Sequence, residues 1–176
     1  MCAKTAELIM FFLQKGYLLG FIFLLSTGAF SEAKGIIKLF PPFEFESFDG
    51  STITQSALTT LNITLIIYGN PDALTNNRAQ LDLILEHIKT EGKADQLLYT
   101  INFASYPRLI RGIIKNQMKN NARKLGINIY ADWDGMLCNH YQLDTNLVAF
   151  FLITEDGMIP DWFYFKNAQD ALIQIE

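Results

Sequence analysis

Two nearly continuous apolar runs constrain the fold of this 176-residue chain more than any other feature of its sequence. They are residues 61–68 (LNITLIIY) and residues 147–154 (LVAFFLIT), and both are rich in β-branched or aromatic side chains. Runs of this kind are typical of strands that are buried on both faces of a sheet. The chain must therefore provide helices for both faces, which predicts an α/β architecture.

The segment after the first apolar run predicts the start of a helix. Residues 69–72 read GNPD, in which Asn70 is a suitable N-cap and Pro71 fits the first helical position. Asp72 then lies where the helix dipole favours a negative charge. The apolar positions that keep the helical period, and that we expect to face the sheet, are Leu74, Leu81, Ile84, Leu85 and Ile88.

The remaining elements alternate in the same way. They are a strand over 97–103, a helix over 107–124 with Ile110, Ile113, Ile114 and Met118 on its inner side, a short strand over 127–130, and a final helix over 168–175 capped by Asn167. Residues 155–157 (EDG) predict a hairpin turn, so the second apolar run returns as an antiparallel edge strand over 158–165, where Pro160 is tolerated. Strands and helices in this order predict one domain with a parallel centre and helices on both faces.

The first 33 residues are predicted to be a signal peptide. Residues 16–30 (GYLLGFIFLLSTGAF) form an apolar run that is shorter than the roughly 20 residues that a membrane-spanning helix needs. Small residues follow at Ser31 and Ala33, as signal peptidases require, and residues 27–29 (TGA) offer a second possible cleavage site. The alternative is that the segment is retained as an N-terminal anchor, lengthened by residues 8–13.

Cleavage after Ala33 leaves residues 34–176 as the mature domain. Of the two cysteines, Cys2 lies in the predicted signal peptide and only Cys138 stays with the domain. An exported domain with one cysteine has no internal disulfide, so its hydrophobic core must hold it together. It also has no dithiol with which to perform disulfide exchange within its own chain.

Two stretches of the chain resemble the redoxin branch of the thioredoxin-like superfamily. They are PPFEFESFDGSTITQSAL, which leads into the first apolar run, and INIYADWDGMLCNHYQLDTNLVAFFLITEDGMI. The segments TINFASY, IRGIIKNQMKN and HYQLDTNLVAFFLITEDG are most similar to segments of the YtfJ-type periplasmic proteins. The resemblance implies a thioredoxin-like three-layer α/β/α sandwich with a mixed central sheet, and a periplasmic or secreted location.

The chain departs from that family where the family carries its chemistry. Catalytic relatives place a C-x-x-C motif or a single reactive cysteine at the start of the helix after the first core strand, where the helix N-terminus lowers the thiol pKa. Here residues 69–78 contain no cysteine, and no proline stands before the strand at 147–154, where the family has a cis-proline. The sequence therefore assigns no catalytic, cofactor-binding or metal-binding residue and no cofactor.

One cysteine and one histidine lie close together in the sequence, at Cys138 and His140. They can be read as a nucleophile with its base, or as a small packed hydrophobe beside a polar residue on a short extended segment. The second interpretation is favoured, because Cys138 follows a turn and does not start a helix. Asp132 and Asp134-Gly135 resemble part of a calcium loop, but a turn explains them better.

Arg108, Arg111, Lys115, Lys119 and Arg123 recur at helical spacing and predict a basic stripe on the second helix. The stripe is either the solvated face of an amphipathic helix or a surface for anionic lipid, the cell envelope or an acidic partner. The net charge of −4 argues against a nucleic-acid-binding protein.

The sequence favours a non-catalytic, exported thioredoxin-like domain that acts as a binding or accessory protein of the cell envelope. We expect an envelope protein as its partner, no nucleic acid, and membrane contact only through an uncleaved signal segment. The alternative is an enzyme, either a thiol-dependent oxidoreductase or peroxidase-like protein that uses Cys138, or a non-redox activity in the vacated cleft.

Overall fold

The computed structural model describes residues 40–159 and 161–175. Its strands are β1 (Glu44–Ser47), β2 (Thr52–Thr54), β3 (Leu65–Gly69), β4 (Leu97–Asn102), β5 (Ile129–Asp132), β6 (Ala149–Leu152) and β7 (Asp161–Tyr164). Its α-helices are α1 (Gln55–Thr60), α2 (Pro71–Asn76), α3 (Arg78–Thr90), α4 (Arg111–Leu125), α5 (Met136–Tyr141) and α6 (Ala168–Ile175). Among the described residues, no helix combines the length and the apolar character needed to cross a bilayer.

The seven strands form one mixed sheet in the order β2-β1-β5-β4-β3-β6-β7. β3, β4 and β5 are parallel, as the alternation of strands and helices predicted. β1 and β6 pair antiparallel with the two sides of this parallel centre. β7 pairs antiparallel with β6 and ends the sheet, which confirms the predicted edge hairpin. Pro160 itself lies outside the described residues.

Helices and aromatic side chains cover both faces of the sheet, which explains why its central strands are apolar throughout. On β3, the neighbouring residues Ile66 and Ile67 are both fully buried, although they point to opposite faces. α2, α3, α4 and α6 pack on the face that contains Ile67 and Phe150. α1, α5 and the aromatic segment from Phe40 to Phe45 pack on the other face. The predicted three-layer architecture is confirmed.

The helix predicted over 107–124 is confirmed with one correction to its inner face. A short 3-10 turn, Arg108–Ile110, precedes α4, and Ile114 and Met118 are buried against the sheet as expected. Ile113, in contrast, is 61% exposed. It precedes Ile114 by about 100° around the helix, and the arc that the sheet covers does not extend so far.

Further elements differ from the sequence-based expectation, among them the short strand predicted over 127–130, which is β5 at Ile129–Asp132. The strand predicted from the first apolar run, β3, begins at Leu65, because residues 61–62 lie in a turn that follows α1. α1 was not predicted, since it has only six residues and buries only Leu58. The first predicted helix is divided at Asn77 into α2 and α3. The cap of the last helix is as predicted, since the Asp170 amide donates to Asn167 Oδ1 over 2.9 Å.

Candidate functional site

The carboxyl ends of the parallel strands are where α/β proteins place their ligands and reactive groups, and the start of α2 is the first element there. The Asn70 side chain caps the helix: its Oδ1 accepts a hydrogen bond from the Ala73 amide over 2.7 Å. Pro71 holds the first helical position, as predicted. Gly69 packs so closely that an added Cβ would lie 3.3 Å from Leu74 Cγ. The helix start is therefore occupied by its own side chains.

Cys138 lies elsewhere, on α5, and the expectation that it belongs to an extended segment is wrong. On a helix, side chains two residues apart diverge by about 200°, so Cys138 and His140 point in different directions. The half-buried thiol of Cys138 donates to the backbone carbonyl of Leu143, with Sγ 3.5 Å from the oxygen. His140 is exposed and packs edge-on against the ring of Tyr141.

The surroundings of Cys138 disfavour its thiolate. Burial raises the pKa of the Cys138 thiol above its ordinary value, and the carboxylates of Asp132 and Asp144 raise it further. Cys138 lies in the first turn of α5, so the expectation that it does not start a helix is wrong. The helix has only six residues, however, and burial and the two carboxylates outweigh the lowering of the pKa that a nucleophilic cysteine gains from a longer helix or a neighbouring cation. The thiol that the alternative enzyme would use is therefore held in its protonated, less reactive form at neutral pH.

A buried polar cluster holds α5 in place. Asp132, at the end of β5, is only 2% exposed. Its Oδ2 accepts hydrogen bonds from the Tyr68 hydroxyl over 2.9 Å and from the Leu137 amide over 3.3 Å. The Tyr68 oxygen in turn accepts from the Cys138 amide over 3.3 Å. Tyr68 and Asp132 therefore satisfy backbone amides in the first turn of a helix that has no side-chain cap of its own.

The ionisation of Tyr68 is suppressed in this cluster. Burial, and then the carboxylate of Asp132, raise the pKa of Tyr68 far above its ordinary value. Its hydroxyl therefore remains a neutral hydrogen-bond donor and does not act as a base at neutral pH. The role of the cluster is therefore structural, since its hydrogen bonds position α5.

The Asp-Gly turn before α5 fits tightly against the end of β4. Gly135 has a positive φ of 66°, and an added Cβ there would lie 2.9 Å from the Cβ of Ala104. The amide of Asp134 donates to Asp132 Oδ1 over 3.3 Å, which is a turn held by an aspartate side chain. Within the described residues, no group of three or more acidic, histidine or cysteine side chains could hold a metal ion. The turn interpretation of this segment is supported.

The predicted basic stripe has two parts with different roles. The guanidinium of Arg111 lies over the ring of Trp133, with Cζ 4.6 Å from the ring centroid. Lys115 forms an ion pair with Glu46 on β1, and Trp133 Nε1 donates to the same carboxylate over 2.9 Å. The hydrogen bond from Lys115 holds the pKa of Glu46 below its ordinary value. These two cations tie α4 to the sheet.

The other members of the stripe, Arg108, Lys119 and Arg123, are exposed to solvent. Lys119 and Arg123 lie on the outer side of α4 together with Lys124, which the stripe prediction did not include, and Arg108 lies in the 3-10 turn before the helix.

Sequence reasoning missed Tyr68, Glu46 and Trp133. Tyr68 was assigned to the core with the rest of its apolar run. A signal was nevertheless present, because Tyr68 and Asp132 both stand at the carboxyl ends of strands that alternation predicts to be parallel, and such ends lie at one edge of the sheet. No comparable signal connects Glu46 with Trp133, since the two are 87 residues apart.

No protein-family model matches this chain, and no curated protein sequence matches it. Solved structures do. The pneumococcal exposed lipoprotein thioredoxin Etrx1 from Streptococcus pneumoniae has a TM-score of 0.57 and is 18% identical, over 76% of this chain and 96% of its own. The fold is thioredoxin-like. Yeast Sco1 has a TM-score of 0.58 at 18% identity, over 80% of this chain and 94% of its own.

A thio-disulfide isomerase from Thermus thermophilus has a TM-score of 0.55 at 14% identity, over 80% of this chain and 93% of its own. At these identities the likeness shows the fold and does not extend to the chemistry.

Proposed function

We propose that this chain is an exported, thioredoxin-like binding or accessory protein of the cell envelope that has no redox-active dithiol. The observation that carries the proposal is the start of α2. In the C-x-x-C arrangement, the two thiols take the N-cap and third helical positions, where the helix dipole stabilises a thiolate. Asn70 and Ala73 occupy these two positions, and the Asn70 side chain is hydrogen-bonded to the Ala73 amide.

The location of Cys138 supports the same conclusion. α2 packs on the sheet face that contains Ile67, whereas α5 packs on the opposite face. The Cys138 thiol is therefore on the other face from the helix start that carries the reactive group in catalytic relatives. Its raised pKa also argues against the peroxidase-like alternative, which needs a thiolate.

The proposed location in the cell envelope rests on the predicted signal peptide, residues 1–33, and on the resemblance to the YtfJ-type periplasmic proteins. One solved structure with the same fold, the pneumococcal exposed lipoprotein thioredoxin Etrx1, is consistent with it. We propose an envelope protein as the partner of the domain.

A redox assay with a graft as its positive control tests the proposal. Wild-type protein should neither reduce the disulfides of insulin nor consume hydroperoxide above a buffer blank. The double substitution Asn70→Cys/Ala73→Cys places two thiols at the N-cap and third position of α2. This variant should form a disulfide under oxidising conditions, and its reduced form should react with insulin. Turnover by the wild type that is lost in Cys138→Ala would contradict the proposal and establish the enzyme alternative.

A further inference from the structure

We propose that the outer side of α4 binds an anionic membrane surface. This surface, called the basic surface below, comprises Arg108, Leu109, Ile113, Lys119, Arg123 and Lys124. The inference rests on the proposed envelope location and names the component of the envelope that the domain contacts. The sequence predicts membrane contact only through an uncleaved N-terminal segment, and this inference adds a second point of contact on the domain itself.

The charge of this region is opposite to that of the whole chain. Residues 96–131 contain six cations and no carboxylate, although the chain has 14 lysines and arginines against 18 acidic residues. Arg111 and Lys115 are engaged with Trp133 and Glu46, as described above. The other four cations are exposed. A cationic surface on an otherwise acidic protein is oriented towards anionic surfaces by the long-range field.

The geometry of α4 suits a flat binding surface. The helix has 15 residues, so it is about 22 Å long. At about 100° per residue, the exposed positions Ile113, Lys119, Arg123 and Lys124 lie on one arc roughly 140° wide. Asn116 and Asn120 lie between them on the same arc and are exposed as well. Their amides can hydrogen-bond to lipid headgroups, so the whole length of the helix can lie in an interface.

The apolar members of the basic surface lie at one end of it. Leu109 is 97% exposed and Ile113 is 61% exposed. They are four residues apart, at the 3-10 turn and the first turn of α4, and each leaves a large aliphatic side chain in water. Helices that lie on membranes combine such side chains with nearby lysine and arginine, because the aliphatic groups enter the acyl boundary while the cations stay among the headgroups.

A membrane accounts for this surface better than a protein partner does. Specific protein interfaces have a contiguous apolar core that is rich in aromatic residues, and a polar rim surrounds that core. Here two aliphatic side chains project from a convex helix, and the adjoining aromatic ring of Trp133 is already covered by Arg111. The hollow of about 330 Å³ beside the helix is lined by both Arg123 and Asp95, so it does not favour an anionic ligand.

Hydrogen exchange of the full chain in the presence of vesicles tests the inference. The vesicles contain phosphatidylcholine alone, or phosphatidylcholine with a third of it replaced by phosphatidylglycerol. Amides of residues 105–125 should be protected only with the anionic vesicles, and the protection should decrease as NaCl is raised from about 0.05 to 0.5 M. Because the readout is local to α4, insertion of an uncleaved N-terminal segment does not produce it.

Matched variants distinguish the contribution of the basic surface to vesicle binding from the general effects of net charge and hydrophobicity. Lys119→Glu/Lys124→Glu should raise the lipid concentration for half-maximal protection at least about tenfold, and Leu109→Gln/Ile113→Gln should raise it by a similar factor. Lys93→Glu/Lys166→Glu makes the same charge change at exposed positions outside α4 and should leave it unchanged. Leu83→Gln, at a position that is 62% exposed on α3, is the matched apolar control.

Three results would overturn the inference. They are no protection with either type of vesicle, equal protection with both types, and equal weakening by the α4 variants and their controls. Protection by soluble polyglutamate but not by vesicles would assign the surface to an acidic protein. A redox-active wild type would overturn the proposed function without affecting any of these readouts.

Discussion

Two helices start at the same edge of the sheet, and they satisfy their first amides in different ways. α2 is capped by its own preceding residue, Asn70. α5 follows Gly135, which has no side chain, and its amides bond instead to Asp132 and Tyr68 at the ends of two strands. The first start is specified by residues four positions apart at most. The second is specified in part locally, by Asp132 five positions before Leu137, and in part by Tyr68, which meets the Cys138 amide only once β3 and β5 have joined the same sheet.

This difference bears directly on function. The resemblance to the redoxin branch implies that catalytic members carry a thiol at this locally capped helix start, where this chain has the side-chain amide of Asn70. The cysteine of the predicted mature domain lies on the helix that depends on the tertiary cluster, in surroundings that raise the pKa of its thiol. Under the proposed function, the domain combines a thioredoxin-like fold with a helix start that carries no thiol, and the pKa of the Cys138 thiol is raised by burial and by two carboxylates.

Removing the carboxylate of the cluster should have the largest effect on stability. Asp132→Ala leaves the Tyr68 hydroxyl and the Leu137 amide buried without their acceptor, so we expect a loss of about 3 kcal/mol in the free energy of unfolding. Urea denaturation measures it. Asp134→Ala, at the exposed position of the same turn, should change stability by less than about 0.5 kcal/mol. Similar losses in both variants would show that the cluster does not hold α5.

Two tyrosines offer a matched test of whether the hydrogen bonds of the Tyr68 hydroxyl stabilise the folded protein. Tyr68→Phe removes the donor to Asp132 and the acceptor of the Cys138 amide, and should cost about 1–2 kcal/mol. The buried hydroxyl of Tyr141 has no hydrogen-bond partner. Tyr141→Phe should therefore be neutral or slightly stabilising. The two unfolding curves decide the matter, and a Tyr141→Phe variant less stable than Tyr68→Phe would refute this account of the cluster.

The local cap of α2 should contribute less. Asn70→Ala removes the acceptor of the Ala73 amide and should destabilise the protein by about 1 kcal/mol, whereas Asn70→Ser, which can still cap, should retain most of that stability. Asn76→Ala, at an exposed position in the same helix, is the control. Thermal unfolding should rank these variants as Asn70→Ala, Asn70→Ser and Asn76→Ala, from least to most stable.

The ion pair of Glu46 should have the smallest effect, and one that depends on pH. The pKa of Glu46 is lowered in the folded state by the hydrogen bond from Lys115. Its contribution is therefore present above the pKa of the unfolded chain, about 4.3, and is lost as the pH falls through the lower folded value. The pair is partly exposed, so the contribution should be below about 1 kcal/mol.

Glu46→Gln should reduce stability at pH 7 by this small amount and have no effect at pH 2. Glu44→Gln, at an exposed position on the same strand, should change stability at neither pH. Unfolding in urea at the two pH values distinguishes these outcomes. A Glu46→Gln variant that loses as much stability at pH 2 as at pH 7 would show that the ion pair is not the cause.

The same contrast explains how much could be read from the sequence. The cap of α2 and the buried strands were predictable, because an Asn-Pro-Asp start and continuous apolar runs are local patterns. α5 was not, because a six-residue helix (MLCNHY) has too few turns to show a period, and its capping group Tyr68 is 70 residues away from Cys138. The absence of a thiol at the start of α2 was evident from the sequence, whereas the raised pKa of the Cys138 thiol depends first on its burial on α5 and then on the carboxylates of Asp132 and Asp144.

The reactivity of Cys138 across pH 5 to 9 tests the central claim most directly. We expect slow alkylation at neutral pH, a rate that increases only above the ordinary thiol pKa of about 8.5, and no change in His140→Ala. A denatured control, in which burial and the two carboxylates no longer act on the thiol, should react faster at pH 7 than the native protein. A native thiol that ionises below about pH 7, and that loses this property in His140→Ala, would contradict the account and make Cys138 a catalytic nucleophile.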